Sequence, residues 1–196
     1  MPLTLSRRET FFWIAAGLYA LTIYLTLGSV RTVTNALRER GQLRLAIACA
    51  FAVALVVVVR WLLRRRPSRR TWLVLAGIGL GYLAVLPFLV APEEAIHLIQ
   101  YGTLAWLLWR ALETRSASRH ARGEVALSLR GRAVLAWALT SALGWLDEIF
   151  QHYHPARHFD WRDVALNAVS GLLAILALAA FDWSTRPQAD SRRADQ

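Results

Sequence analysis

Residues 43–63 read Leu-Arg-Leu-Ala-Ile-Ala-Cys-Ala-Phe-Ala-Val-Ala-Leu-Val-Val-Val-Val-Arg-Trp-Leu-Leu, and no side chain between Ala46 and Val59 carries a charge. A bilayer's hydrocarbon core is crossed by about 20 residues of α-helix. This run has that length, and it is apolar on every side rather than along one stripe, so lipid is the solvent it suits.

Working outward from it, five more runs have the same character, giving six expected spans: Phe11–Gly28, Leu43–Leu63, Trp72–Val90, Ala95–Leu112, Ala133–Phe150 and Val164–Phe181. The fourth is the weakest alone, because His97 and Gln100 lie in its first half. The fifth ends in acids and the sixth carries Asn167. The expected fold class is an all-α polytopic membrane bundle of about six transmembrane helices. A soluble domain of this length would coat itself in charge, yet 56% of the 196 residues are hydrophobic, 18% are charged, and the mean hydropathy is +0.36.

The formal charge is +10, and all 23 basic residues are arginine. Nucleic acid is excluded as the partner by where this charge sits, in short runs between apolar blocks rather than along one face. With the N-terminus inside, seventeen arginines fall in cytoplasmic segments and six outside, so both termini are expected in the cytoplasm. Arg7 and Arg8 precede the first apolar run as in a signal peptide. The run is long for one and no small-x-small cleavage site follows, so it reads as a retained helix. Arg31, Asn35, Arg38 and Gln42 recur at helical spacing in the expected outer loop, Ser29 to Gln42, which predicts a short interfacial helix there. Glu113–Arg130 and Arg186–Gln196 read as solvated tails. The single cysteine, Cys49, forms no intrachain disulfide and reads as a small apolar residue.

Under this topology the unusual polar residues gather at the outer face. His97 and Tyr101 lie four apart near the start of the fourth helix. Asp147 and Gln151 do likewise at the end of the fifth, beside Glu148, and Asp163 and Asn167 open the sixth. Three helices thus direct polar stripes inward from one end, and ionisable groups in membrane spans need a partner or a water-filled cavity. Each has a bland alternative: Asp163 as a helix cap, His97 as a packing hydrogen-bonder, Asp147–Glu148 with Arg157 as a structural ion-pair knot. Their convergence favours a shared pocket. His152, His154 and His158 lack a metal-ligand spacing and read as headgroup-level residues, so no metal is assigned. The polar stripes stay at one face, which disfavours a transport pathway through the midplane.

The pattern Asp147-Glu148-x2-Gln151-x3-Pro155-x-Arg157-x5-Asp163-x3-Asn167 resembles the signature of the VanZ-like family, and His97-x3-Tyr101-x2-Leu104 resembles that family's upstream motif. The resemblance covers roughly residues 72–181. Two positions depart from it. Glu94 stands where the family often has a basic residue, and Ser170 with Gly171 replaces a glycine three after Asn167. The resemblance implies a division into an N-terminal helix pair (1–66), a four-helix membrane domain (67–183) and a polar tail (184–196). It also implies a multi-pass protein of the bacterial cytoplasmic membrane, in a cell-envelope context; the family is named for its association with glycopeptide (teicoplanin) resistance. It supplies no reaction and no cofactor.

The expected function is an outward-facing polar pocket that binds or modifies a lipid-linked or other amphiphilic envelope component. Asp147 or Glu148 is the candidate general base, with Asp163 as a third catalytic carboxylate. Arg157 is the candidate clamp for an anionic headgroup, because its planar fork suits phosphate. His97, Tyr101, Gln151 and Asn167 are the positioning and ligand-binding candidates. Membrane lipids are the expected partners. The rival reading is a structural polar plug in a protein that acts through partners or sequestration.

Overall fold

The computed structural model describes residues 6–153 and 159–185. Among them the regular structure is helical throughout: α1 (Arg7–Glu39), α2 (Leu43–Arg65), α3 (Arg69–Val85), α4 (Ala95–Ala121), α5 (Leu129–His152) and α6 (Trp161–Thr185), with two short 3₁₀ turns, Leu86–Phe88 and Pro92–Glu94, between α3 and α4.

The boundaries follow from local chemistry. Ser6, Ser68 and Ser128 each accept a hydrogen bond from a backbone N–H in the first turn of the following helix, stabilising α1, α3 and α5 by about 1 kcal/mol apiece. Past the end of α1, Gly41 adopts φ 68°, which a side chain would disfavour, and Gln42 N–H reaches back to the Leu37 carbonyl. α2 is capped by Arg66, whose backbone is left-handed at φ 48°, and Pro67 comes next, where a helix cannot continue.

α4 is the axis of the bundle, packed along α1, α5 and α6 and touched by α2. Its Leu98, Tyr101, Leu104, Ala105, Leu108, Trp109 and Leu112 are all buried. Two apolar clusters surround it. Ala16 and Ala20 of α1 pack on Tyr101, Leu104 and Leu108, and Ala136 of α5 and Ile175 of α6 pack on Ala105, Trp109 and Leu112. α3 packs on α6, and α2 is the most peripheral, burying only Leu43 and Leu62.

That peripheral position makes the surface apolar. Val53, Leu55, Val56 and Val57 on α2, and Leu73, Leu80 and Leu83 on α3, are all exposed. Each would forfeit about 1.5–3 kcal/mol in water relative to burial, so the surface is one for hydrocarbon. Among the described residues five helices are long and apolar enough to cross a membrane: Arg7–Thr26, Leu43–Arg65, Arg69–Phe88, Leu129–His152 and Trp161–Trp183. α4 is not among them. As the central helix it faces protein more than lipid, and polar side chains there have partners.

Two expectations are corrected. The segment Ser29 to Gln42, expected to be an outer loop, does not carry a separate interfacial helix. α1 runs unbroken through Gly28 to Glu39, 33 residues, or about 50 Å at 1.5 Å per residue. One glycine inside a helix costs only about 1 kcal/mol, and the extension is anchored by the burial of Thr34 and by an Arg38–Glu93 ion pair. Glu113–Arg130 is likewise not simply a solvated tail, since α4 continues to Ala121. Its arginines pair there with acids, Arg110 with Glu113 and Arg115 with the buried Glu9 at 3.9 Å. Arg132 of α5 lies 2.7 Å from Asp182 of α6 and sits over the Trp109 ring at 4.4 Å, tying α4, α5 and α6 at that end. Arg186–Gln196 lie outside the described residues.

Candidate functional site

The opposite end of the bundle, where α4 begins and α5 ends, holds the polar cluster. Asp147, Glu148 and Gln151 of α5 are fully buried, as are Tyr101 of α4 and Asn167 of α6. Three and four residues separate the members on α5, so they rise on one face of one helix. The Gln151 amide donates to both neighbouring carboxylates, to Glu148 Oε1 at 2.7 Å and Asp147 Oδ2 at 3.2 Å. Tyr101 donates its hydroxyl hydrogen to the same Asp147 oxygen at 2.9 Å. The Asp160 backbone N–H donates to Glu148 Oε2 at 3.2 Å, drawing the start of α6 onto the end of α5. Both carboxyl groups therefore sit among hydrogen-bond donors.

On α4, His97 Nδ1 lies 2.9 Å from Asn167 Oδ1. The Asn167 amide nitrogen faces the Gly144 carbonyl at 3.3 Å, so its oxygen is the atom turned to the ring. In this arrangement His97 Nδ1 is the donor to the Asn167 oxygen. The His97 and Tyr101 rings lie parallel, centroids 6.1 Å apart.

A cavity of about 70 Å³ opens beside these groups, lined by His97, Gln100, Asp147, Gln151 and Asp163 on the polar side and by Ile23, Val30 and Thr34 of α1 on the other. Ligand pockets that enclose a drug-sized molecule run to roughly 300–1,000 Å³, so this one holds a few waters or one small chemical group. An amphiphile would present part of a headgroup here and leave its chains in the bilayer. Asp147 and Asp163 line the cavity and Glu148 does not, which separates carboxylates that are adjacent in sequence. Glu93 and Glu94 also border it. Glu93 pairs with Arg38, and the Glu94 carboxylate accepts from the Val90 and Ala91 N–H groups at 2.9 and 3.2 Å. The acid at the position where the resembled family often has a base thus folds back onto its own turn.

The structure brings together His97, Tyr101, Asp147, Glu148, Gln151, Asp163 and Asn167. Arg157, the candidate anion clamp, lies outside the described residues, as do His154 and His158. His152 is exposed. Among the described residues no group of three or more His, Cys, Asp or Glu side chains is placed to hold a metal ion.

Sequence reasoning missed four contributors. Gly144 is one: a Cβ there would come 2.7 Å from the Asn167 Cβ and 3.1 Å from Tyr101 Cε1, so only glycine lets the two helices and the tyrosine meet. Its signal was its place, one turn before Glu148 on the polar face. Tyr24 of α1 donates to the Leu143 carbonyl at 2.8 Å and fixes α1 against α5. Val30 and Thr34, in a segment expected to be a loop, form cavity wall. Comparisons with family models, with curated proteins and with solved structures gave no match to this chain.

Proposed function

We propose that the chain is a six-span protein of the bacterial cytoplasmic membrane, VanZ-like, with both termini inside. In this reading α4 is the sixth span, shielded from lipid by α1, α5 and α6. The polar cluster faces outward and binds or modifies the headgroup of a lipid-linked or other amphiphilic envelope component. The observation that carries this reading is the placement of Asp147: buried, hydrogen-bonded by Tyr101 and Gln151, and lining a cavity together with His97 and Asp163.

The roles follow from geometry. Asp147 is the base or headgroup acceptor, because it reaches the cavity wall. Asp163 lines the same space as the second carboxylate. Glu148, away from the wall, orients Gln151 and the Asp160 backbone, and so acts through position. His97, held by Asn167, presents its ring to whatever enters.

The test is mass spectrometry of lipids copurifying with the wild-type protein and with Asp147→Asn in matched detergent. A lipid species enriched with the wild type and lost from the variant, with folding retained, supports the reading. Identical lipid profiles would remove the cavity from ligand binding. A second reading is favoured by the number of internal partners in the network: a register-fixing polar plug would look the same. It predicts that Asp147→Asn acts mainly by lowering the midpoint of thermal unfolding.

A further inference from the structure

The cavity has two unlike walls. One is the polar cluster of α4, α5 and α6. The other is α1, whose Ile23, Val30 and Thr34 face that cluster, with Thr34 buried although it lies near the far end of a 33-residue helix. Two devices hold this wall in place. Tyr24 donates to the Leu143 carbonyl at 2.8 Å, and beyond the cavity Arg38 pairs with Glu93 of the Pro92–Glu94 turn that leads into α4. The turn is itself braced, since Glu94 accepts from Val90 and Ala91.

We propose that the extension of α1 is the size filter of the cavity: Val30 and Thr34 are its specificity-determining residues, and the Arg38–Glu93 pair sets how far the filter stands from the polar cluster. This rests on the reading of the cavity as a binding site, and it adds which residues decide what fits. A β-branched pair at 30 and 34, one turn apart on one helix face, presents a stiff wall whose bulk changes directly with substitution. The ion pair is half-exposed on its arginine side, with side-chain exposures of 52% and 28%. It is therefore an adjustable brace rather than a permanent lock.

The test uses a reporter on the opposite wall and needs no ligand. Gln100→Cys, in a Cys49→Ala background, is reacted in membranes with a small and with a bulky impermeant methanethiosulfonate. The small reagent reacts with the parent and the bulky one reacts poorly. Val30→Ala and Thr34→Ala admit the bulky reagent, and Thr34→Phe abolishes reaction with both. Glu93→Gln speeds labelling about two- to fivefold, the range an exposed ion pair supports. The exchange Arg38→Glu with Glu93→Arg restores the parental rate. Should the Val30 and Thr34 variants all label like the parent, the wall is not on the access route and the proposal fails. A Glu93→Gln rate that the charge exchange does not restore overturns the role of the pair. Labelling is read independently of bound lipid, so an unchanged lipid profile in Asp147→Asn would sink the binding reading and leave the filter measurable.

Discussion

Asn167 occupies the space that a side chain at Gly144 would need: a Cβ built at residue 144 falls 2.7 Å from the Asn167 Cβ. The same close approach sets the Gly144 carbonyl 3.3 Å from the Asn167 amide nitrogen and turns the Asn167 oxygen toward His97. Gly144→Ala is expected to push α6 from α5, costing about 1–3 kcal/mol as overpacking usually does. The His97–Asn167 bond should be lost with it. Thermal unfolding in detergent measures the first effect and the NMR chemical shift of His97 Nδ1, read at one fixed pH, the second. A variant with wild-type midpoint and unchanged Nδ1 shift would show that the helices are not locked at this point.

Tyr101 and Gln151 both donate to one Asp147 oxygen, at 2.9 and 3.2 Å. Tyr101→Phe keeps the ring packed under α1 and removes only the hydroxyl, leaving a buried carboxylate short of a donor. The expected loss is about 1–3 kcal/mol. Combined with Asp147→Asn, the two losses should not add, because both act on the same bond. A double-mutant cycle on detergent unfolding free energies measures this, and a coupling near zero would mean the hydroxyl contributes nothing through Asp147.

Much of this site was legible before the fold. The four-residue spacings of His97 with Tyr101, Asp147 with Gln151 and Asp163 with Asn167 place each pair on one helix face, and buried polar faces must find one another. What could not be read was which carboxylate reaches open space, since Asp147 and Glu148 differ by one position, 100° of helical turn. The fourth helix was read from Ala95 to Leu112 but as the weakest of the six, because hydropathy reports apolar surroundings and α4, packed along α1, α5 and α6, carries polar side chains that have protein partners. The helical spacing of Arg31, Asn35 and Arg38 was legible, but its continuity with the first span was hidden behind Gly28, where the apolar run ends, and Glu93, the partner of Arg38, lies 55 residues away.

Further toward the other end, Gly171 makes the second tight crossing of α5 and α6. A Cβ there would fall 2.7 Å from the Thr140 Cγ2 and 3.3 Å from its Cβ. Gly171→Ala alone should destabilise by about 1–3 kcal/mol. Thr140→Ser removes the offending methyl and keeps the hydroxyl that donates to the Ala136 carbonyl at 2.8 Å. The double variant is expected to recover a large part of the loss, measured as the midpoint of thermal unfolding. Additive losses would place the strain somewhere other than Thr140.

The two ends of the bundle should differ in how much their ion pairs matter. Arg132 is almost enclosed, with 8% of its side chain exposed, and it meets Asp182, Glu113 and the Trp109 face. Removing it by Arg132→Met fills similar volume but takes from Asp182 and Glu113 the cation that joins them, and the expected loss is about 1–3 kcal/mol, the cost of deleting a charged hydrogen-bond partner. Arg38 stands half in solvent, so Arg38→Met should shift stability by at most about 1 kcal/mol. The ordering is the point of the comparison, and detergent unfolding of the two variants side by side gives it. It follows from where each arginine sits: Arg132 ties together α4, α5 and α6, whereas Arg38 adjusts the margin of a cavity. Equal losses in the two variants would mean that the end holding Asp147 is as rigidly braced as the end holding Arg132, and access along α1 would then have no movable part.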